Sequence, residues 1–407
     1  MISYEEAIAI LFDNKRVSSV SVLVENSLNH VCTEEIKSQV FVPSFNNSAM
    51  DGFAIRAKDI STASKENPVT LQIMGSTMAG EKLAKSKTGA LEIMTGAPVP
   101  AHYDAVVKVE DVSVNGNEVS FFKPVPIHNN IRDAGEDFKP DEIIIKAGTN
   151  INSTHIMALA TVGQKNIEVA KKPRITIFST GKELVNDADT PLKEGQIRNS
   201  NSPYLMAALN EMSQNATYGG TIYDEPEIFE NKLKDALKNN DIIISTGAVS
   251  MGKIDFIPNS LRTLGANILF HKVLIRPGKP ILYARFPNGI HYFGLPGNPI
   301  SAAIGLRFFV IPLLHHLEGQ KQEKPTKAKL LNSFISKNPF RVFQKAHAAI
   351  SANGEMEVRI LKGQQSFKIN SLVKANCWAV FSPEQTEMKP NDMIDIYPLI
   401  TKKWDLE

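Results

Sequence analysis

Apolar positions change their period along the chain, and each change predicts a different kind of element. Ser3 followed by Glu6 is a capping-box signature, and Ile8 and Leu11 share one face of the short helix it opens. Val20, Val22 and Val24 then alternate, as on a strand. From about 40 to 140 the pattern is one of short strands and turns. Within it, Val112–Val114, Asn115-Gly116 and Val119–Phe122 predict a tight hairpin, because Asn-Gly tolerates the positive φ angles such a turn needs. Ser153 or Thr154 can cap a helix that runs to Gly163.

The texture changes after Lys171-Lys172-Pro173. Arg174–Phe178, Asp241–Ile244 and Ile290–Phe293 are apolar strands. Helices are expected after Asn201, over Ile228–Leu237, and over a segment carrying Ile304, Phe308 and Ile311. Alternating strands and helices imply a parallel sheet covered on both faces, with ligands at the carboxyl ends of its strands. Gly319–Lys327 reads as a polar linker, and short strands with a hairpin at Asn353-Gly354 follow it. The resulting fold class is α/β plus β: length allows two to four domains, and the pattern marks a β-rich unit 41–139, a doubly wound α/β unit 172–320 and a small β-unit 321–407.

Composition narrows the function classes. Net charge is +2, from 45 basic and 43 acidic residues, with no dense basic tract, so nucleic acid is not an expected partner. Two distant cysteines, Cys32 and Cys377, make neither a disulfide framework nor a thiolate cage and suit a reducing cytosol, and the N-terminus lacks the pattern of a signal peptide. Ala302–Leu314 is the most apolar stretch. Arg307 and Pro312 interrupt it, and it is too short to span a bilayer, so no membrane role is expected. A cytoplasmic location follows from these features.

Three loops of the α/β unit share one construction: Ser179-Thr180-Gly181-Lys182-Glu183, Ser245–Gly252 with Gly247 and Ser250, and Gly294-Leu295-Pro296-Gly297-Asn298-Pro299. Each follows a strand and leads towards a helix, where unpaired N–H groups and the positive dipole end favour anions. Asn298 is placed to be an N-cap and Pro299 the first helical residue. One such loop would read as an ordinary βα turn; three together read as a phosphate cradle, though none is a Walker A loop. Glu183, Asp224 and Asp255 lie close by in sequence. Carboxylates beside phosphates call for a hard cation, and Mg²⁺ is the natural one, although Asp255 reads equally well as a capping residue. Lys272, Arg276 and Lys279 surround a proline-stiffened Arg276-Pro277-Gly278-Lys279-Pro280 loop suited to an oxyanion, or else to a solvent-facing basic turn. Nine histidines include no His-x-x-x-His pair, and no Gly-x-Ser-x-Gly elbow occurs, so neither zincin nor serine-hydrolase chemistry is expected.

These segments, with Asn47–Phe53, Met94-Thr95-Gly96-Ala97-Pro98 and Gly135-Glu136-Asp137, occur in an order that resembles the molybdopterin molybdenumtransferase family, the MoeA proteins and the E domain of gephyrin. The resemblance implies an elongated, four-domain homodimer in which 1–40 with 140–171 form the N-terminal dimerisation domain, the central domain is Mog-like and faces the β-rich domain of the other chain, and 321–407 form a barrel-like C-terminal domain. The implied reaction inserts molybdate into adenylylated molybdopterin and releases AMP. It implies that Lys272, Arg276 and Lys279 meet molybdate, with Ser301 as a hydroxyl donor. Glu183 and Asp255 would hold Mg²⁺. Ser179, Thr180, Gly181, Gly247, Ser250, Lys279, Pro296, Gly297, Asn298 and Pro299 would cradle the pterin and its phosphates. Asp51, Thr95 and Asp137 would reach the site from the β-rich unit, and Asp51, Asp137 and Asp224, the last in the Tyr223–Pro226 turn of the α/β unit, would orient a water or shuttle protons. Ala248 stands where relatives commonly carry a second glycine, and Arg276 where they often carry lysine. At 248 the backbone either keeps φ below zero or accepts mild strain. An upstream molybdopterin adenylyltransferase is an implied partner. A Mog-type adenylyltransferase and an idle gephyrin-like scaffold are the competing readings.

Overall fold

The computed structural model describes residues 1–80, 88–223, 225–248, 256–336 and 339–400. Helix α1 (Tyr4–Phe12) begins with the expected capping box, Ser3 and Glu6 bonding each other's backbone N–H. Although it falls within 1–40, its buried face of Ala7, Ile8 and Leu11 joins the core of the α/β unit. The rest of the first unit is built from both ends of 13–171. Ser19–Leu23 pairs antiparallel with Asn166–Ala170, and Ile36–Lys37 with Ile143–Ile145. Its helix, Ser153–Thr161, is capped by Asn152 rather than by Ser153 or Thr154; Asn152 accepts from the His155 N–H, one residue upstream of the expected cap.

The β-rich unit is a six-stranded sheet ordered Ala105–Lys108, Gly52–Ile55, Ala90–Ile93, Val69–Thr77, Glu118–Phe121, Val112–Asn115. The last two strands form the expected hairpin, with Gly116 at φ 60°. Gly52 sits where a side chain has no room: an added Cβ would lie 2.0 Å from the Val107 carbonyl oxygen. Gly52→Ala should therefore cost about 2–3 kcal/mol of this unit's stability, read as a lowered denaturation midpoint.

The α/β unit carries strands β1 (Arg174–Thr180), β2 (Asn215–Ile222), β3 (Ile242–Thr246), β4 (Asn267–His271), β5 (Leu282–Arg285) and β6 (His291–Leu295). Their order is β2-β1-β3-β6-β5-β4. The first four are parallel as expected, and β5 and β4 add antiparallel edges, so the sheet is mixed. Helices α2 (Asn201–Glu211), α3 (Pro226–Ala236), α4 (Ile257–Thr263) and α5 (Pro299–Leu317) complete it. Two apolar clusters, one around Ile177 and Phe293 and one around Ile243 and Tyr292, cover the two faces.

The apolar run 302–314 lies within α5, whose 19 residues are long and apolar enough for a membrane span by composition, yet 83% of its apolar window is buried inside the fold. Its interruptions are accommodated. Arg307, 2% exposed, ion-pairs with Glu323 at 2.8 Å and donates to the Pro398 carbonyl. Pro312 lacks the N–H that would serve the Phe308 carbonyl, the helix widens to a π turn over Leu306–Val310, and the Tyr4 hydroxyl donates to that carbonyl instead.

The last unit closes on itself. Strands β7 (Thr326–Leu330), β8 (Arg341–Ile350), β9 (Met356–Ile360), β10 (Cys377–Phe381) and β11 (Met393–Pro398) run β8-β9-β7-β11-β10 and back to β8, a small barrel. The β8–β9 hairpin turns at Gly354, φ 79°.

Candidate functional site

Strand register decides which loops meet. Ser179 lies beside Thr246, Thr246 beside Leu295, and Gly294, Leu282 and His271 are on one level. The carboxyl ends of β1, β3, β6 and β4 therefore share one edge, and the segments leaving them carry Gly181–Glu183, Gly247-Ala248, Pro296–Pro299 and Lys272. Backbone approach there is close. Gly247 N donates to Leu295 O at 2.9 Å, and a Cβ on Gly247 would fall 2.5 Å from Thr180 O. Gly297 offers its bare Cα side to Gly247, and Asn201 at the start of α2 donates to Gly297 O at 2.8 Å.

Two hydroxyls expected to line this cradle instead build it. Ser179 is fully buried, bonded to Ser202 Oγ and receiving Asn199 Nδ2 at 2.9 Å. Thr180 is buried and donates to Thr246 O at 2.9 Å. Asn298 precedes Pro299, the first residue of α5, but makes no side-chain cap bond; one free helix N–H, that of Ile300, is taken by the Ser366 carbonyl of the barrel at 3.0 Å. Ser301 is buried on α5. Ala248 takes φ 48° after Gly247 at φ 92°, so of the two alternatives the backbone accepts strain, of order 1–2 kcal/mol for a residue with a Cβ.

Glu183 is the exposed acid of the cradle. Its carboxylate folds over Gly181, so that a Cβ there would lie 2.7 Å from both oxygens, and it has no hydrogen bond or ion pair among the described residues. Asp224, Ser250 and Asp255 lie outside the described residues. Among the described residues no three His, Cys, Asp or Glu gather as a metal cage. One or two carboxylates completed by phosphate oxygens is nonetheless how Mg²⁺ is usually held, so Glu183 fits that ion as a partner of the substrate rather than as part of a closed site.

The basic loop adjoins the same edge. Lys272, at φ 74°, is fixed by its N–H to Ile281 O, and Lys279 O accepts from Val273 N. The Gly278 backbone lies against Ile275, Ile281 and Ile304 of α5. Arg276, exposed, belongs to a short strand that pairs with β8 of the barrel, and Lys279 Nζ stands 5.7 Å from the Phe340 ring. The barrel thus borders the cradle, which no motif in the sequence announces. Its Gly363–Lys368 loop, which carries Ser366, is held by fully buried Lys345, whose ammonium donates to the carbonyls of Gly363, Gln365 and Lys368. Burial, and then the charge of Lys368, pushes that ammonium down to about 8.

The β-rich motifs form a second cluster. Asp51 Oδ1 accepts from Thr95 N at 2.7 Å and from Thr95 Oγ1 at 2.8 Å, and these bonds, the backbone one first, hold its carboxyl below the usual range. Asn47–Ser48 pairs with Ile131–Arg132, Gly96 N donates to Ser48 O, and Asp137 N donates to Val42 O. Asp51, Thr95 and Asp137 are thereby tied into one region, all exposed. Among the described residues no hydrogen bond or ion pair joins this cluster to the cradle of the same chain.

Comparison with known proteins gives matches along almost the whole chain. Family models match over residues 2–163 (MoeA N-terminal region, domain I and II), 176–316 (named for a molybdopterin binding domain) and 327–399 (MoeA C-terminal region, domain IV). A molybdopterin molybdenumtransferase of Synechococcus elongatus is 32% identical over 98% of this chain and 100% of the relative, and one of Staphylococcus aureus is 33% identical over 97% and 95%. A solved molybdopterin biosynthesis MoeA protein from Pyrococcus horikoshii superposes with a TM-score of 0.83 at 28% identity, covering 99% of this chain and 100% of that one.

Proposed function

The chain belongs to the MoeA family, transferases of molybdenum cofactor biosynthesis, and we propose that it inserts molybdate into adenylylated molybdopterin with release of AMP. The observation that carries this reading is the convergence of Glu183, the Gly247 and Gly297 loops and Lys272 on one sheet edge. Molybdate and dithiolene thiolates are both anionic. At ~4 Å their repulsion is of order several kcal/mol at a protein-like dielectric, and fixed cations must offset it. Lys272, Arg276 and Lys279 supply that charge from a loop stiffened by two prolines. Backbone N–H groups of the cradle take the pterin phosphates, with the positive end of α5 behind them. Glu183 and Asp255 would hold Mg²⁺, which would neutralise phosphate charge when bound. Catalysis then rests on positioning and charge compensation.

Asp51, Thr95 and Asp137 enter this scheme from the partner subunit of a homodimer, with Asp51 kept ionised by Thr95 to orient water or accept a proton. Asp224 acts in the same capacity. Buried thiols at Cys32 and Cys377 suit a cytoplasmic enzyme, and an upstream adenylyltransferase supplies its substrate. A Mog-type adenylyltransferase would account for residues 172–320 alone and leave the Asp51–Thr95 pair and the barrel wall without a task.

The test is nucleotide release from adenylylated molybdopterin by purified protein, with and without molybdate. Release that ignores molybdate overturns the reading. In the same assay Lys272→Gln should raise the molybdate concentration for half-saturation by about tenfold, the worth of one charge-assisted contact, with little change in affinity for the pterin. An unchanged half-saturation moves molybdate away from Lys272.

A further inference from the structure

The opposite edge of the same sheet holds a second polar cleft, of about 710 Å³, that the proposed reaction does not use. It lies at the amino ends of β3 and β6 and the carboxyl end of β5, about 16 Å from the cradle along β6, at roughly 3.3 Å per residue. Its outer wall is Asp13–Val17 together with Pro173, the two places where the chain crosses between its first unit and the α/β unit.

The cleft is backed by a buried polar relay. Asn14, 9% exposed, spends its amide on Leu11 O at 2.8 Å and the Tyr283 hydroxyl at 3.1 Å, while its Oδ1 accepts from Arg285 Nη1 at 2.8 Å. Tyr283 lies 2.9 Å from Nδ1 of His291, which is 7% exposed. The hydroxyl has one proton to give and no other acceptor beside it among the described residues, so it donates to Nδ1 and leaves the imidazole proton on Nε2. Burial, and then the charge of Arg285, pushes His291 down to about 4, so the ring stays neutral near pH 7.

Every strong group this relay presents is a donor: the Arg285 guanidinium and the His291 Nε2–H, joined at the rim by exposed Lys15 and Arg16. None of the three cations forms an ion pair among the described residues. Of the two acids on the cleft, Asp241 is already spent on Arg174, accepting from its backbone N, Nε and Nη2, and Asp13 is exposed at the rim. Asn14 Oδ1 takes one N–H of Arg285, and no carboxylate answers the three cations among the described residues; that surplus of donors and positive charge selects an oxyanion, and the volume admits a small organic one.

We propose that this cleft is a second binding site, taking a small phosphate-bearing metabolite between Arg285, His291 and the Lys15-Arg16 crossing. A ligand there would brace the junction between the first unit and the α/β unit without touching the cradle.

Inorganic phosphate is the probe, in equilibrium dialysis on the full chain. Because phosphate also suits the cradle, two variants separate the sites. Arg285→Gln should remove one phosphate equivalent per chain, or weaken it by about tenfold or more, with molybdate-dependent AMP release unchanged. Lys272→Gln/Lys279→Gln should keep that equivalent and lose activity. Arg285 also anchors Asn14, so Lys15→Gln/Arg16→Gln, on exposed side chains, supplies a variant that leaves the buried relay intact and should weaken the same equivalent. Undiminished binding in both Arg285→Gln and Lys15→Gln/Arg16→Gln overturns the proposal, as does loss of all binding in the cradle variant. Loss of AMP release in every protein, with the phosphate equivalent still present, would overturn the reaction and leave this site standing.

Discussion

Glu183→Gln is expected to lower molybdate-dependent AMP release by roughly 10²–10³-fold in kcat/KM while leaving the fold and melting temperature unchanged. The asymmetry follows from what the carboxylate does in the folded chain. It is exposed and has no hydrogen bond or ion pair among the described residues, so the isosteric amide removes no structural interaction. What it removes is the negative charge that brings a divalent cation to the edge of the cradle, where an amide oxygen is a far weaker ligand for a hard ion. Two readouts are needed. Turnover should fall, and the Mg²⁺ concentration for half-maximal turnover should rise. A variant with normal Mg²⁺ dependence would take Glu183 out of the cation's coordination, even if turnover fell. Gly247→Ala offers a contrast: its Cβ would meet Thr180 O at 2.5 Å, so activity and stability should fall together.

How far the cradle could be read from sequence depended on whether its chemistry was local. A strand ending in Gly and leading to a helix is a local pattern, and the register then places all such ends on one edge without further information. Lys272 belongs there because two antiparallel hairpin turns return β4 to the direction of β6. Ser179 and Thr180 show where local reading stops. The same hydroxyls that suit a ligand also suit Ser202 and Thr246, and only packing decides which they meet. The barrel's share was invisible for the same reason. The pairing of Ile275–Arg276 with β8 and the Ile300–Ser366 bond join residues some 65 positions apart or more, and neither end carries a pattern of its own. Lys345 is the extreme case. A lysine with no exposed surface, satisfied only by backbone carbonyls, looks in sequence like any strand-edge lysine. Ala248 was legible as an oddity, but the sign of its φ belongs to the turn that Gly247 starts.

Asp51→Asn and Glu183→Gln, each nearly inactive alone, are expected to recover about a quarter of the normal rate when the two proteins are mixed, unfolded and refolded together, because half of the resulting dimers are mixed and one of the two sites in each carries neither change. The expectation rests on the proposed homodimer and on the two clusters being built from different elements of the chain. Asp51 is tied to Thr95, and its neighbours are stitched to 130–138 and to 94–99. Glu183 is held over Gly181 by a different sheet, and no hydrogen bond or ion pair among the described residues connects the two groups. If both clusters serve one reaction, the proposed homodimer lets a second copy bring Asp51 to Glu183. Asp51→Asn keeps an oxygen to accept from Thr95, so it removes charge without dismantling the turn. The dimer's composition can be read independently by tagging one variant and isolating the mixed species, whose rate should be about half of normal, one good site in two. Mixed dimers with no more activity than either parent would place both residues in a site made by a single chain, and would end the case for a site shared between subunits.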